Sequence, residues 1–301
     1  MTNIILATTN TALNELEVVN QAKQKLNNNG WVLLRGFDAS LPKFSELLKQ
    51  FCHELTFDPA REFADKSSQK VNAGIDAVGL HIENGNTPFP PNLVAFYSEK
   101  SAKQGSQTTL CDGAELYQNM SAQLQQAWQQ TVTVSRRLPS HLWRQYVVNQ
   151  HPEVNGLAEV TEKHLADFIA INQHQRGKIN PDDSLDYALD IQPCLPIKGL
   201  ANQEAEKGTF TEESQTEQFA FANALLGPSF NYEKPNYSFA NGQPVSEALM
   251  KQTAELAEKY TQEIQWQDGD IVIINNKRVL HGRRAITGNL SDRALFIGMG
   301  Y

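Results

Sequence analysis

The chain has no thiolate cluster to offer a metal. Its three cysteines, Cys52, Cys111 and Cys194, are far apart, odd in number and share no CxxC spacing. Neither a disulfide framework nor a zinc knuckle is indicated. Positive charge is also scarce: 26 Lys and Arg stand against 34 Asp and Glu, a formal net charge of -8. No cationic face for nucleic acid or an anionic membrane is therefore expected. No apolar run approaches the roughly 20 residues that span a bilayer. The N-terminal stretch "MTNIILATTNTALNELE" lacks a basic n-region and a long apolar h-region, so it does not read as a secretory signal. What these absences leave is the expectation of a cytoplasmic protein that acts on a small molecule.

Of 301 residues, 40% are apolar and 20% charged. That suffices for a sizeable core, in one large domain or two small ones. Leu13, Leu16, Val19 and Leu26 recur at helical spacing, which predicts a helix over 13–26. "GWVLLRGF" at 30–37 reads as a buried strand, and Phe44, Leu47, Leu48, Phe51 and Leu55 as a further helical face. Residues 58–79 read as loop with at most a short strand. "NLVAFYSE" and "QTTLCD" are expected strands, and Leu116, Met120, Leu124 and Trp128 predict one helix. "DYALDIQPCLPIKG" reads as a short strand pair, "GLAEVTEKHLADFIAINQ" as helix. A helix after Pro244 carries Val245, Leu249, Leu256 and Tyr260. "IVIIN" and "RALFIGM" close the chain as strands. Short strands at both ends with helices around them suggest a mainly β sandwich or barrel with helical cover. The polar, mixed stretch at about 140–242 would be a long insertion in a single domain of 1–301. Within it, residues 202–218 have almost no apolar side chains. A segment of that kind can close over a substrate as a lid.

The chemistry starts at "AVGLHIENGNTPFPPN". Residues two apart on a strand point to one face, so His81 and Glu83 can aim at one point. The pair could equally be a solvated strand end. A third ligand must come from elsewhere, and His281 alone among the remaining histidines follows a strongly predicted buried strand and its connector. It opens an "HGRR" turn. Two imidazoles and one carboxylate make the facial set of non-haem Fe(II) oxygenases. Arg293, expected on the last strand, would face inward with Leu295 and Ile297. A guanidinium among apolar side chains needs a carboxylate. Asp270 or Asp112 could supply it, and so could a bound dicarboxylate. Thr108 could add a hydroxyl.

The segments "GWVLLRGF", "LHIENGNTPFPPNLVAFYSEKSAKQGSQTTLCDG", "SFANGQPVSEAL" and "WQDGDIVIINNKRVLHGRRAITGNLSDRALF" together resemble the taurine dioxygenase-like (TauD/TfdA-type) family of Fe(II)/2-oxoglutarate-dependent oxygenases. The resemblance covers most of the chain except the insertion. It implies a double-stranded β-helix, or jelly roll. It implies His81, Glu83 and His281 as iron ligands, and Arg293 with Thr108 as contacts of the distal carboxylate of 2-oxoglutarate. Thr109 is the alternative if the register slips by one, because Gly105-Ser106 replaces the family's usual double glycine. Glu83 stands where Asp is commoner, as in the branch resembling clavaminate synthase and the amino-acid β-hydroxylases. That branch implies Fe(II), 2-oxoglutarate and O2 acting on a C–H bond of an amino-acid-like metabolite, free or tethered to a carrier protein. Related halogenases lack the carboxylate, so Glu83 argues against halogenation, not against desaturation, cyclisation or epoxidation. Candidate substrate contacts are Arg61, Asn72, Asn84, Asn86, Asn223, Asn275 and Arg284, with Arg283 as support. Two readings from other classes are a zinc hydrolase on the same ligands and a non-catalytic binding protein.

Overall fold

The structure, a computed structural model, describes residues 3–9, 11–58, 61–72, 74–151, 153–197, 218–227 and 234–301. Two β-sheets face each other across one core. The larger, seven-stranded among the described residues, orders its main path as Ile4–Leu6, Trp31–Arg35, Ile271–Asn275, Leu93–Lys100, Ala294–Gly300 and Leu55–Thr56. The smaller orders Thr261–Ile264, Thr108–Asp112, Val279–Arg283 and Val78–His81. The sheets form a jelly-roll sandwich rather than a closed barrel.

The apolar runs in the strands are continuous because both faces of each sheet are covered. Trp31 and Leu33 pack inward with Phe96, Leu110, Val279 and Leu295. Val32 and Leu34 pack outward on the helices Leu16–Asn29 and Leu41–Phe51, against Val18, Val19, Phe44 and Leu47. The first helix ends at Gly30, whose φ of 78° gives the left-handed cap that returns its N–H to Leu26 O. On the smaller sheet, Cys111 and Leu280 point outward to Leu116, Leu124 and Trp128.

Four local expectations differ from the structure. Leu55 does not share the helical face of Phe44 to Phe51: the helix ends at Phe51, and Leu55 opens the strand Leu55–Thr56. Leu16 is 74% exposed, and Val18, Val19 and Ala22 form the buried face of its helix instead. Leu116 to Trp128 do not share one helix: Gly113–Gln118 is followed by Ala122–Trp128, which starts where Ser121 Oγ accepts from Leu124 N. All four large side chains are nonetheless buried. The expected strand pair does not pair with itself. Leu185–Ile191 lies between Val132–Leu138 and Gln175–Ile179, whereas Cys194–Ile197 pairs with Gln218–Phe221. The helices Ser140–Gln150 and Glu162–Ala170 cover the first of these sheets around Trp143, Leu165 and Phe168. The loop after Glu83 reaches this layer through Phe89, whose ring meets Phe168 at 6.2 Å. The lid expected at 202–218 lies outside the described residues apart from Gln218.

No helix among the described residues is long and apolar enough to cross a membrane.

Candidate metal centre

His81 ends one strand of the smaller sheet, and His281 sits within the strand beside it. The two are direct partners in the antiparallel register. Their rings stand 4.5 Å apart between centroids. His281 does not open a turn, as its sequence context suggests; it lies in the middle of Val279–Arg283. Alternation along that strand turns Val279, His281 and Arg283 inward and Leu280 outward. Glu83 lies beyond the end of Val78–His81, so strand alternation does not place it. Ile82 N–H donates to Asn223 O at 2.9 Å and Glu83 N–H to Asn276 Oδ1 at 2.8 Å. Those bonds bring the carboxylate back to the imidazoles.

Glu83 Oε2 is 3.4 Å from His281 Nε2 and 3.9 Å from His81 Nε2. One donor atom from each residue lies within 4.8 Å of the others. His81 Nδ1 is 2.8 Å from Gly79 O. A carbonyl can only accept, so Nδ1 carries the proton and Nε2 keeps its lone pair for a metal. Burial, then the neighbouring His281, pushes the His81 imidazole down to about 4. Burial alone would raise the Glu83 carboxyl, but Arg61 and the two histidines outweigh it and hold the group well below the usual carboxylate range. A neutral imidazole and an ionised carboxylate are the ligand forms a divalent cation requires. The donor set therefore fits iron.

The donors open into a cavity walled by Val71, Val78, Phe96 and Leu295, with Arg61, Arg283, Arg293 and Thr108 as its other polar groups. Arg293 precedes the last strand by one residue and keeps the inward parity of Leu295 and Ile297. That strand pairs with Leu93–Lys100, which separates it from Ile271–Asn275. Neither expected acidic partner is available. Asp270 is held by Arg35 at 2.6 Å and Asp112 by Arg278 at 2.6 Å. Arg293 Nη1 donates to Val71 O at 2.8 Å, and no carboxylate of a described residue pairs with it. Burial, then Arg283, pushes it down to about 10. A bound dicarboxylate would relieve both effects.

Thr108 and Leu110 face inward, Thr109 and Cys111 outward. Thr108 Oγ1 already accepts from Trp266 Nε1 at 3.0 Å and can still donate. Thr109 abuts Gly282 instead.

The other candidates scatter. Arg61 lines the cavity and bonds Glu83 Oε1 at 2.8 Å. Asn72 is exposed. Asn84 adopts a left-handed φ of 56° in the turn after Glu83. Asn86 is buried beside a separate apolar cavity, its carbonyl accepting from Arg136 at 2.7 Å. The Asn223 amide is engaged by Pro193 O and Leu225 N, and Asn275 Oδ1 by Lys277 N. Arg284 is a surface group paired with Glu258 and Glu263. Neither Asn223 nor Asn275 lines the metal cavity, nor does Arg284. Sequence reasoning missed Asn276 and Trp266. The second Asn of "IINN" was visible, but nothing distinguished it from its neighbour.

Fold and donor set together define a 2-oxoglutarate-dependent non-haem iron dioxygenase. The sequence matches the taurine catabolism dioxygenase TauD, TfdA family over residues 6–298, so the chain belongs to that family. A search of curated protein sequences found no match. Among solved structures, PvcB from Pseudomonas aeruginosa is similar at 12% identity and a TM-score of 0.59, covering 99% of this chain and 85% of that one. A second structure of PvcB, described as an Fe, alpha-ketoglutarate dependent oxygenase from an isonitrile synthetic pathway, gives 12%, 0.58, 99% and 85%. A taurine dioxygenase from Burkholderia xenovorans gives 14% identity and a TM-score of 0.57, covering 95% of this chain and 82% of that one. At such identities these likenesses speak for the fold.

Proposed function

We propose that the protein hydroxylates an unactivated C–H bond of a small amino-acid-like metabolite, free or tethered to a carrier protein. Succinate and CO2 would leave from 2-oxoglutarate. One observation carries the reading: His81, Glu83 and His281 share a cavity with Arg293, a buried guanidinium that has no carboxylate partner among the described residues. In this reading the two imidazoles and Glu83 hold Fe(II). Arg293 takes the distal carboxylate of 2-oxoglutarate, and Thr108 adds its hydroxyl. Iron, 2-oxoglutarate and O2 supply the oxidation of the C–H bond. The chain's part is to orient both small molecules and keep water out with Val71, Phe96 and Leu295. Residues of about 140–242 would form an insertion within a single domain of 1–301.

The relatives described as a taurine dioxygenase and as an oxygenase of an isonitrile synthetic pathway support a small-molecule substrate. The amino-acid-like class rests on Glu83 in place of Asp. A zinc hydrolase is disfavoured because, among the described residues, Glu83 is the only acidic one lining the cavity. It is already in the donor set, which leaves no general base.

The test incubates the protein with Fe(II), ascorbate, 2-oxoglutarate and a panel of amino acids and their conjugates. Mass spectrometry should find a product with one oxygen gained and succinate formed with it. Loss of two hydrogens would instead mean desaturation or cyclisation. No iron-dependent succinate with any substrate would defeat the reading and favour a binding protein.

A further inference from the structure

The metal carboxylate lies past the end of its strand, where no neighbouring strand can fix its peptide groups. A side chain does that instead. Asn276 is fully buried. Its Oδ1 accepts Glu83 N–H at 2.8 Å, and its Nδ2 donates to Glu83 O at 3.1 Å and to Pro91 O at 2.9 Å. A carboxamide offers a carbonyl oxygen and two N–H donors, and every one is used here. The Asn276 main-chain N–H adds a bond to Asn92 O at 2.9 Å, and Lys277 Nζ one to Pro90 O at 2.7 Å. One side chain thus grips the main chain of Glu83 from both sides. It also closes the loop that runs from Glu83 to Pro91.

We infer that Asn276 is the positioning residue of the metal carboxylate, and that through it the loop of residues 84–92 is coupled to the metal. The inference rests on the metal reading above. Asn276 does not line the cavity, so it acts only through the Glu83 main chain. A ligand must be held to within about 0.5 Å for productive geometry. Without the clamp, Glu83 is oriented through its carboxylate alone, by Arg61 at Oε1 and the imidazoles beside Oε2. The coupling also runs in reverse: a substrate that displaces Pro90 and Pro91 would pull on the same amide.

Asn276→Ala removes all three bonds. Asn276→Asp keeps the size and the acceptor but turns a carboxylate oxygen towards Glu83 O and Pro91 O. A control for the loss of any buried hydrogen bond is Thr253→Val, which deletes the bond from Trp128 Nε1 at 2.9 Å in another part of the core. Mn(II) affinity is measured from the free-ion electron paramagnetic resonance signal, at a temperature where circular dichroism shows each variant folded. Removing such supporting contacts weakens metal binding about 10–100-fold. Both Asn276 variants should show that loss, and Thr253→Val should bind as wild type does. In the metal-free protein, amides of residues 82–92 should exchange faster in Asn276→Asp than in Thr253→Val. A folded Asn276→Asp or Asn276→Ala protein with wild-type Mn(II) affinity overturns the inference alone. A wild-type protein with no Mn(II) site sensitive to His81→Ala overturns the metal reading and the inference with it.

Discussion

Arg61 and His281 divide the Glu83 carboxylate between them. Arg61 Nη2 donates to Oε1 at 2.8 Å, while Oε2 stands 3.4 Å from His281 Nε2. One oxygen is thereby held by a fixed cation, and the other is presented to the imidazoles. A buried carboxyl without a cationic neighbour moves up, because burial disfavours its charge. Arg61→Met should therefore raise the pH below which metal binding fails, by about one unit or more. Mn(II) titrations from pH 5 to 8 would show this. A variant with the wild-type pH profile would mean that Arg61 does not tune Glu83.

Metal-free protein should lose stability as the solution is acidified, and His81 sets the window. Its imidazole is held at about 4 in the folded chain against about 6.5 when unfolded. The unfolded chain therefore binds more protons between these values. The contribution is fully present above pH 6.5 and is lost as pH falls towards 4. Between pH 7 and 5 this amounts to about 2 kcal/mol. Urea unfolding in the presence of a chelator should show the drop in the wild type and a much smaller one in His81→Leu. Equal slopes in both proteins would refute the assignment.

Deleting a ligand tests the set itself. His81→Ala or His281→Ala should abolish succinate formation while near-native circular dichroism persists. Turnover like that of the wild type in either variant removes that residue from the set.

Arg293 is the expected anchor for 2-oxoglutarate. A charge-assisted bidentate contact contributes about 1.5–3 kcal/mol, so Arg293→Ala should weaken cosubstrate affinity about tenfold or more. Calorimetric titration with 2-oxoglutarate in the presence of Mn(II) would measure it. Should affinity stay unchanged, the next residue to test is Arg283, which lines the same cavity. Arg284 is excluded from that role by Glu258 and Glu263 on the outer surface.

The parts of this site that follow strand alternation were legible in the sequence, and the parts that depend on distant hydrogen bonds were not. Leu33, Phe96 and Leu295 announce buried strands because an apolar run has few other uses. The inward parity of Arg293 follows from Leu295 and Ile297. The spacing of His81 and Glu83 points to two residues whose donor atoms do lie together, but for an incomplete reason. The strand stops at His81, and a partner 193 residues away in sequence holds Glu83. No local pattern separates Asn276 from Asn275, or Arg283 from Arg284; only sheet register and burial do. The helix break at Ser121 was hidden for a related reason. Its four flanking apolar residues keep helical spacing while Asn119 caps the end of one helix and Ser121 the start of the next.

Gly282 supplies the strictest test of how closely the two histidine strands must approach. A Cβ there would lie 2.6 Å from Val78 O, 2.8 Å from Thr109 Oγ1 and 3.0 Å from Gly79 O. Two of these atoms are main-chain carbonyls of the strand that carries His81, so no side-chain rotation relieves the clash. Gly79 O also fixes the His81 tautomer through Nδ1. Gly282→Ala should therefore push Val78–His81 away from Val279–Arg283 and widen the gap between the imidazoles. Overpacking of this kind costs about 1–3 kcal/mol. The variant should melt at a lower temperature and bind Mn(II) about tenfold or more weakly, in line with disturbed metal-ligand support. Gly156→Ala is the control, since a Cβ there meets nothing within 4 Å and should change neither quantity. If Gly282→Ala lowers the melting temperature but leaves Mn(II) affinity intact, the strain is being absorbed away from the imidazoles, and their spacing does not depend on this glycine.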